Sequence, residues 1–206
     1  MSLKAIESRG KRELGGKYES TLEQAVSVAR RATESLSVLG TATLRLLEGS
    51  KRRVGRVDVH ELLQSALALF KPFLDGREVE VKKVLAPGSP YLKGTEAAVE
   101  SIVTNLLTNS LAAFERAEVK RRTIEIRTAV LNSRLVVEVL DNGPGIIGIE
   151  ADDIWLPGCT TKPGGTGLGL TIVRDATRDL GGSVAVDEHG ELGGATLRIE
   201  LPILGV

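Results

Sequence analysis

Hydrophobic residues recur along this chain with two periods, and the changes of period predict where helices and strands lie. A helical period predicts one buried-face helix from about Thr95 to Glu118. Its stripe consists of Val99, Ile102, Val103, Leu106, Leu107, Ser110, Leu111 and Phe114. Strict alternation follows over 124–130 and 135–139, with Asn132-Ser133 between them. This pattern predicts a β-hairpin.

The remaining segments complete a mixed, largely antiparallel sheet. A short strand at Arg56–Asp58 precedes a helix that should end near Lys71-Pro72. Further strands are expected at about 78–85, 91–92, 184–186 and 197–201, and a helix that carries Ile172, Val173, Ala176 and Leu180. Strands and helices in this order predict an α/β fold, a two-layer α/β sandwich with the helices on one face of the sheet.

The first quarter of the chain has a different pattern. Ser20 and Glu23 form a capping box, and two adjacent apolar rows continue to about residue 49. Two such rows favour a helix within a bundle, although the helix could instead fold back onto the core of its own domain. We therefore expect a partial helical region and linker over residues 1–54 and a second domain over 55–206.

Two glycine clusters indicate the candidate chemistry. Asp141–Gly145 closes a predicted strand with a carboxylate, and Gly164–Leu170 opens a predicted helix with bare amides. A helix N-terminus preceded by glycines is suited to bind an anion, although either cluster alone could be only a turn. Asn105 and Asn109 are stacked four residues apart near the apolar face of the predicted helix, where they could serve a ligand or cap neighbouring backbone. The simplest interpretation is a nucleotide held between the clusters.

In this order the motifs resemble the ATP-binding catalytic domain of sensor histidine kinases, from the gyrase, heat-shock chaperone, histidine kinase and MutL superfamily. The resemblance covers roughly residues 56–206 and implies the Bergerat-type ATP-binding fold. The matching boxes are Asn105–Asn109, Asp141–Gly145, Gly165–Gly169 and Gly193–Thr196, with Ile154–Lys162 at the position of the aromatic-rich stretch. That stretch keeps one ring, Trp155, and has Gly158 and Cys159 where the family has bulky residues. Residues 20–49 look like the second helix of the family's dimerisation hairpin.

The resemblance and the chemistry of the residues imply which of them would contact the adenine base. Asp141 should accept a hydrogen bond from the adenine amino group, because an ionised acceptor in a partly dry pocket is strong and selective. Thr196 is expected to support that contact, directly or through water. Gly143 and Gly145 should let the backbone approach the base and release the lid.

Other residues are implied at the phosphates. Asn109 should hold Mg²⁺ through its amide oxygen, with Asn105 in support, because Mg²⁺ prefers oxygen ligands. Lys162 could reach the terminal phosphate or could simply face solvent. The residues expected to cradle the phosphates are Gly165, Thr166, Gly167, Leu168 and Gly169.

The reaction class depends on Asn105. ATP hydrolases of the superfamily carry a glutamate there as a base for water, and an asparagine cannot take that proton. Glu100 lies on a different face from Asn109. The expected function is transfer of the terminal phosphoryl of ATP to a histidine by the catalytic core of a two-component sensor histidine kinase. The alternatives are a protein-serine kinase of related fold and a nucleotide-binding regulatory module without transfer activity.

His60 resembles an acceptor histidine because an acid, Glu61, follows it. Asp58 and Glu61 instead predict a capping box that places His60 in the first turn of a short helix. The acceptor is therefore expected outside this chain, which alone should not autophosphorylate.

Composition restricts the partners. The 206 residues carry 27 basic and 27 acidic side chains, so no net field attracts nucleic acid or an anionic membrane. A single cysteine and the lack of a long apolar run suit a cytoplasmic location, although a longer parent protein could be membrane-anchored. The expected partners are ATP, the chain's own dimerisation hairpin in a homodimer, and a response regulator.

Overall fold

The computed structural model describes residues 53–115, 119–161 and 165–204. All of these residues belong to one structural unit, Gly49–Val206. The helix expected over residues 20–49, and with it the proposed boundary near residue 54, lies outside the described residues and stays a prediction. Lys162 and Gly164 also lie outside them.

The described region opens with a β-ribbon and a capped helix. Strand β1, Gly55–Asp58, pairs antiparallel with β3, Tyr91–Gly94, and helix α1, Val59–Asp75, follows β1 directly. Asp58 caps α1, because its carboxylate accepts a hydrogen bond from the Glu61 N–H at 3.0 Å, as the sequence predicted. Burial opposes ionisation of this carboxyl, but hydrogen bonds from Glu61, Ser89, Tyr91 and His60 outweigh it and lower the pKa of Asp58.

Helix α1 is longer than the sequence predicted. We expected it to end near Lys71-Pro72, yet it includes Pro72 and ends at Asp75. Proline is disfavoured inside a helix because it lacks an N–H. Here Pro72 lies in the last turn, and its carbonyl accepts a hydrogen bond from the Gly76 N–H at 3.1 Å. Buried Leu74 gives the extra turn an apolar contact with the core.

A five-stranded mixed sheet forms one layer, in the order β2-β4-β5-β7-β6. Its strands are β2 Val79–Val84, β4 Arg122–Leu131, β5 Arg134–Asp141, β6 Ser183–Asp187 and β7 Thr196–Pro202. Strands β2 and β4 run parallel, and every other pair is antiparallel. Asn132 and Ser133 form the β4–β5 turn with φ of 49° and 60°, the left-handed conformation of the tightest hairpins.

Helices α2, Glu96–Ala113, and α3, Gly169–Asp179, complete the other layer. Thr95 caps α2 by accepting a hydrogen bond from the Ala98 N–H at 3.2 Å. Helix α2 ends before the expected Glu118, because the apolar stripe that buries it stops at Phe114. The α/β two-layer sandwich predicted from the sequence is confirmed. Among the described residues, no helix combines the length and the apolar character needed to cross a membrane.

The face of the sheet away from the helices carries ion pairs. Arg127 contacts Glu125 at 2.6 Å and Glu191 at 2.7 Å, and these carboxylates raise the pKa of its guanidinium. Arg198 contacts Glu200 at 2.8 Å on the same face. Such partly exposed pairs contribute little stability each. They identify this face as the one that meets solvent.

Candidate functional site

Asp141 is held at the end of β5 by its own backbone and by its neighbours. The residue is 2% exposed. Its N–H donates to the Ala195 carbonyl at 3.1 Å, and its carbonyl accepts from the Gly194 N–H at 3.1 Å. The Gly143 N–H donates to Asp141 Oδ1 at 3.0 Å. The structure therefore fixes a buried carboxylate at the position where the sequence predicted an adenine acceptor.

Two glycines leave no room for side chains around this carboxylate. A β-carbon built at Gly194 would lie 2.5 Å from Asp141 Oδ1 and 2.6 Å from the Gly143 nitrogen. One built at Gly143 would lie 2.9 Å from Asp141 Oδ1 and 3.1 Å from the Ala113 β-carbon. The distances at Gly194 are too short for a real β-carbon, so that position requires glycine, whereas a β-carbon at Gly143 would crowd Asp141 Oδ1 and the Ala113 side chain. The first and last glycine boxes thus form one cradle around Asp141, which we call the base cradle.

Asn142 anchors the base cradle to the neighbouring strand. Its Oδ1 accepts a hydrogen bond from the Thr123 N–H at 2.7 Å, and its Nδ2 donates to the Arg121 carbonyl at 2.6 Å. The Asn142 N–H also donates to the Thr123 carbonyl at 3.2 Å. Sequence reasoning missed this role, because an asparagine before glycine is also an ordinary turn signal.

Thr196 is not placed to support Asp141. It pairs with Leu140 in the β5–β7 register, and it lines a cavity of about 240 Å³ with Arg127, Glu138 and Arg198. Side chains alternate between the two faces of a strand, so Thr196 and Asp141 lie on opposite faces. Buried Ala195 is the residue opposite Asp141. Thr196 pairs with the residue one position before Asp141, so its side chain points away from the face that carries the carboxylate. A direct contact of Thr196 with that carboxylate is therefore not supported.

Gly145 marks the point where the chain leaves the base cradle. Its φ is +77°, and a β-carbon there would lie 2.5 Å from the Glu188 carbonyl oxygen. The next residue, Ile146, donates its N–H to that same oxygen at 3.3 Å. Gly145 is thus required both by its conformation and by the close approach of the β6–β7 hairpin, which restrains the start of the segment between the two glycine boxes.

The second glycine box forms the N-terminus of α3. Gly169 is the first helical residue, and Leu168 precedes it without a side-chain cap. Gly167 has a φ of +64° and its carbonyl accepts from the Gly158 N–H at 3.1 Å. Gly165, Thr166 and Leu168 are exposed. First-turn amides without a side-chain cap, at the positive end of the helix dipole, suit an anionic ligand.

The N box lies against this helix N-terminus. Asn105 donates from Nδ2 to the Ser101 carbonyl at 2.8 Å, and a β-carbon built at Gly169 would lie 3.1 Å from Asn105 Oδ1. Asn109 is half-buried one turn further along α2. The structure therefore brings Asn105 of the N box against the first residue of α3 in the second glycine box.

The single ring of the lid segment is packed inside the domain. Trp155 lies in a short 3-10 helix, Asp153–Trp155, and is 8% exposed. Its carbonyl accepts a hydrogen bond from the Thr171 hydroxyl of α3 at 3.1 Å. Trp155 thus fixes part of the segment between the glycine boxes to the helix that follows.

His60 is buried in the first turn of α1, as the capping box predicted. It is 7% exposed, and its Nε2 lies 2.9 Å from the Thr128 hydroxyl of β4. That hydroxyl also accepts from the Ala86 N–H at 2.8 Å. These contacts indicate that His60 has a structural role in packing α1 against the sheet.

Metal binding would depend mainly on amide oxygen. The described residues contain no group of three or more His, Cys, Asp or Glu side chains that could hold an ion. Asn109 offers an amide oxygen one turn along α2 from Asn105, which itself lies against the N-terminus of α3, and Mg²⁺ commonly combines few protein ligands with phosphate oxygens and waters. The donors present therefore fit Mg²⁺ bound together with a phosphate ligand.

A carboxylate in a glycine cradle and stacked amides at a bare helix N-terminus define a nucleotide-site architecture. The family model described as "Histidine kinase-, DNA gyrase B-, and HSP90-like ATPase" matches residues 94–205. This match spans more than half of the chain, which therefore belongs to that family.

Solved structures show the same fold. The mycobacterial sensor histidine kinase MprB matches with a TM-score of 0.64 and 21% identity, over 75% of this chain and 100% of that one. The catalytic domain of histidine kinase ThkA matches with a TM-score of 0.64 and 24% identity, over 73% of this chain and 95% of that one. Full-length ShkA, in complex with AMPPNP, matches with a TM-score of 0.65 and 22% identity, over 99% of this chain and 43% of that one.

Curated relatives are sensor proteins. The C4-dicarboxylate transport sensor protein DctB of Rhizobium meliloti (strain 1021) is 27% identical over 84% of this chain and 27% of its own length. The sensor histidine kinase ZraS of Escherichia coli (strain K12) is 25% identical over 87% of this chain and 38% of its own length. The sensor protein FixL of Bradyrhizobium diazoefficiens is 28% identical over 90% and 36%. The chain thus spans less than two fifths of the length of these relatives.

Proposed function

We propose that this chain is the ATP-binding catalytic core of a two-component sensor histidine kinase. It transfers the terminal phosphoryl of ATP to a histidine outside the chain. The observation that carries the proposal is the base cradle, in which Gly143 and Gly194 close on the fixed carboxylate of Asp141. Membership of the family and the sensor kinases among the relatives support it.

We assign one end of the site to the base and the other to the phosphates. Asp141 accepts a hydrogen bond from the adenine amino group, and the first-turn amides of α3 meet the phosphates. ShkA, which shares the fold, is described in complex with AMPPNP, an ATP analogue. Asn109 holds Mg²⁺, with Asn105 supporting it, and the ion neutralises phosphate charge when bound. Lys162 adds a positive charge at the terminal phosphate.

The residues favour transfer over hydrolysis. Hydrolysis needs a base to take a proton from water, and the carboxamide of Asn105 cannot do so. Its Nδ2 is already hydrogen-bonded to the Ser101 carbonyl. In transfer, an acceptor nitrogen forms the new bond to phosphorus while the bond to the bridging oxygen breaks, which releases ADP. That reaction requires mainly alignment and charge neutralisation.

The acceptor lies in another segment. His60 is buried against Thr128, so it cannot reach a nucleotide without the loss of α1 packing. We place the acceptor on a dimerisation hairpin whose second helix corresponds to residues 20–49, and we propose a homodimer that passes the phosphoryl to a response regulator. Light scattering should give a dimer for the full chain and a monomer for a truncation that starts near Val54.

Phosphorylation chemistry tests the proposal. The chain is incubated with radiolabelled ATP and Mg²⁺, alone and with a separate acceptor hairpin from a related kinase. We expect acid-labile, alkali-stable label on the hairpin and none on the chain alone. Acid-stable label would indicate a serine kinase. Tight ATP binding with no label on any hairpin would indicate a regulatory module without transfer activity.

A further inference from the structure

The hairpin between β6 and β7, residues 188–195, reaches over the face of the sheet away from the helices, which we call the outer face. In the strand order, β5 separates β7 from β4. Glu191 of this hairpin nevertheless meets Arg127 of β4, with its Oε2 2.7 Å from Nη1. The same guanidinium is also oriented by Glu125, which accepts from its Nε at 2.6 Å. The Glu191–Arg127 ion pair therefore links the hairpin to a strand that is not its neighbour.

The ion pair spans a space that side chains do not fill. A cavity of about 240 Å³ is lined by Glu191 together with residues of the sheet that include Arg127, Leu140 and Thr196. Side chains on opposite sides of such a space gain no packing contacts across it. The hydrogen bond from the Gly190 N–H to the Gly194 carbonyl, at 2.7 Å, closes the turn of the hairpin but does not join it to β4. The ion pair is therefore the contact that holds the hairpin across this space.

The same hairpin contacts the candidate nucleotide site. The Gly194 N–H donates to the Asp141 carbonyl at 3.1 Å, and the Ala195 carbonyl accepts from the Asp141 N–H at 3.1 Å. The Glu188 carbonyl accepts from the Ile146 N–H at 3.3 Å. A displaced hairpin would therefore shift Gly194 relative to the Asp141 carboxylate and loosen the start of the segment between the two glycine boxes.

We propose that Glu191 and Arg127 are positioning residues for the nucleotide site. Their ion pair holds the β6–β7 hairpin where Gly194 closes on Asp141. Arg127 is three residues from Ile124, which pairs with Asp141, so Arg127 and Asp141 lie on opposite faces of the sheet. The pair therefore acts through the hairpin and not by contact with the nucleotide. This inference rests on the proposed function, because the site that the pair positions is the proposed adenine site.

Charge reversal at Glu191 tests the inference. Calorimetry measures the binding of ATP and of adenosine to the wild-type chain and to Glu191→Lys, in low salt and in about 1 M salt. We expect Glu191→Lys to weaken both ligands by about two- to fivefold in low salt, because Arg127 repels the lysine and the hairpin shifts. High salt screens exposed charges, so there the variant and the wild type should bind alike.

Two further measurements separate positioning from a general loss of stability. Hydrogen exchange should be faster at the Ile146 amide in Glu191→Lys, because the carbonyl that holds this amide belongs to the hairpin. In an Arg127→Gln background, Glu191→Lys should cause little further loss of affinity, because the repulsion is then absent.

Glu200→Lys is the matched control. Glu200 pairs on the outer face with Arg198 at 2.8 Å and with Arg134 at 3.6 Å, but it belongs to β7 and not to the hairpin. This variant should bind ATP and adenosine as the wild type does. The inference would be overturned by unchanged ATP affinity in Glu191→Lys, by an equal loss in Glu200→Lys, or by a loss that persists in high salt. If the wild-type chain binds neither ligand, the proposed function itself is contradicted.

Discussion

The two ends of the candidate site are built differently. At the base cradle, Asp141 is buried and its backbone is hydrogen-bonded on both sides, to Ala195 and to Gly194. At the phosphate end, Gly165, Thr166 and Leu168 are exposed, and α3 begins without a side-chain cap. At the base end the protein itself supplies hydrogen bonds to the backbone and carboxylate of Asp141. At the phosphate end the first-turn amides of α3 can receive theirs from an anion. Substitutions should therefore have large effects at the first end and graded effects at the second.

The largest expected effect comes from Gly194→Ala. The added methyl would overlap Asp141 Oδ1 and the Gly143 nitrogen, so the carboxylate must move. Overpacking of this kind costs about 1–3 kcal/mol, and the displaced carboxylate also loses its bond to the base. We expect ATP affinity in calorimetry to fall by more than about 100-fold. Gly55→Ala is the control, because a β-carbon there would meet nothing within 4 Å. Near-normal affinity in Gly194→Ala would mean that the base does not enter the cradle.

Asp141→Asn should follow with a slightly smaller loss. The amide keeps the shape of the carboxylate but loses the charge-assisted bond, which costs about 1.5–3 kcal/mol. ATP affinity should then fall by about 10- to 100-fold while the melting temperature stays near that of the wild type. Asp187→Asn, at an exposed strand end, is the control and should bind normally. Unchanged affinity in Asp141→Asn would remove Asp141 from the adenine contact.

Asn109→Ala tests the phosphate end. It should weaken ATP binding only when Mg²⁺ is present. We expect about a tenfold loss of ATP affinity in Mg²⁺ and little change in excess chelator, because only the metal contact is removed. Thr108→Ala is the control on the same helix, since that hydroxyl bonds back to the Thr104 carbonyl at 2.7 Å. If the metal dependence of binding persists in Asn109→Ala, then Asn109 is not a ligand.

The smallest expected effect belongs to Gly169→Ala. Its β-carbon would lie 3.1 Å from Asn105 Oδ1, which requires the amide to shift by only a few tenths of an ångström. ATP binding should weaken by about threefold, roughly 0.6 kcal/mol, and adenosine binding should not change. Gly194→Ala should weaken both ligands. If Gly169→Ala lowered the affinity for ATP and for adenosine equally, the proposed division into a base end and a phosphate end would be contradicted.

The sequence predicted the parts of the fold that local pattern controls. The stripe that starts at Val99 specified α2, the alternation around residues 124–139 specified β4 and β5, and Asn132-Ser133 specified their turn. Helix ends were less predictable, because Pro72 is tolerated where Leu74 still has core to contact. The glycine boxes specified which segments form the site, although not the atoms that each residue meets.

What the sequence left open at the site depends on register and on distant contacts. A shift of one residue along a strand exchanges its faces, which places Ala195 rather than Thr196 opposite Asp141, so a role of Thr196 at the adenine contact stays a prediction. Asn142 accepts a hydrogen bond from the Thr123 N–H and donates one to the Arg121 carbonyl, and both join residues about twenty positions apart, so no local pattern indicates them. The need for glycine at Gly194 becomes visible only once Asp141 is packed against it.

The hydrogen bonds of Asp141 also have a consequence for the kinetics of exchange with solvent. Its amide proton is held by Ala195 between two central strands of the sheet, whereas that of Ile146 is held by a hairpin carbonyl at the lid margin. Exchange at Asp141 therefore requires the end of β5 to separate from the segment before β7 and to expose a buried residue, which costs more free energy than the opening of a loop. Exchange at Ile146 requires only a local opening. A deuterium label would thus enter at Ile146 before it enters at Asp141, so the candidate base cradle opens less often than the loop that leaves it.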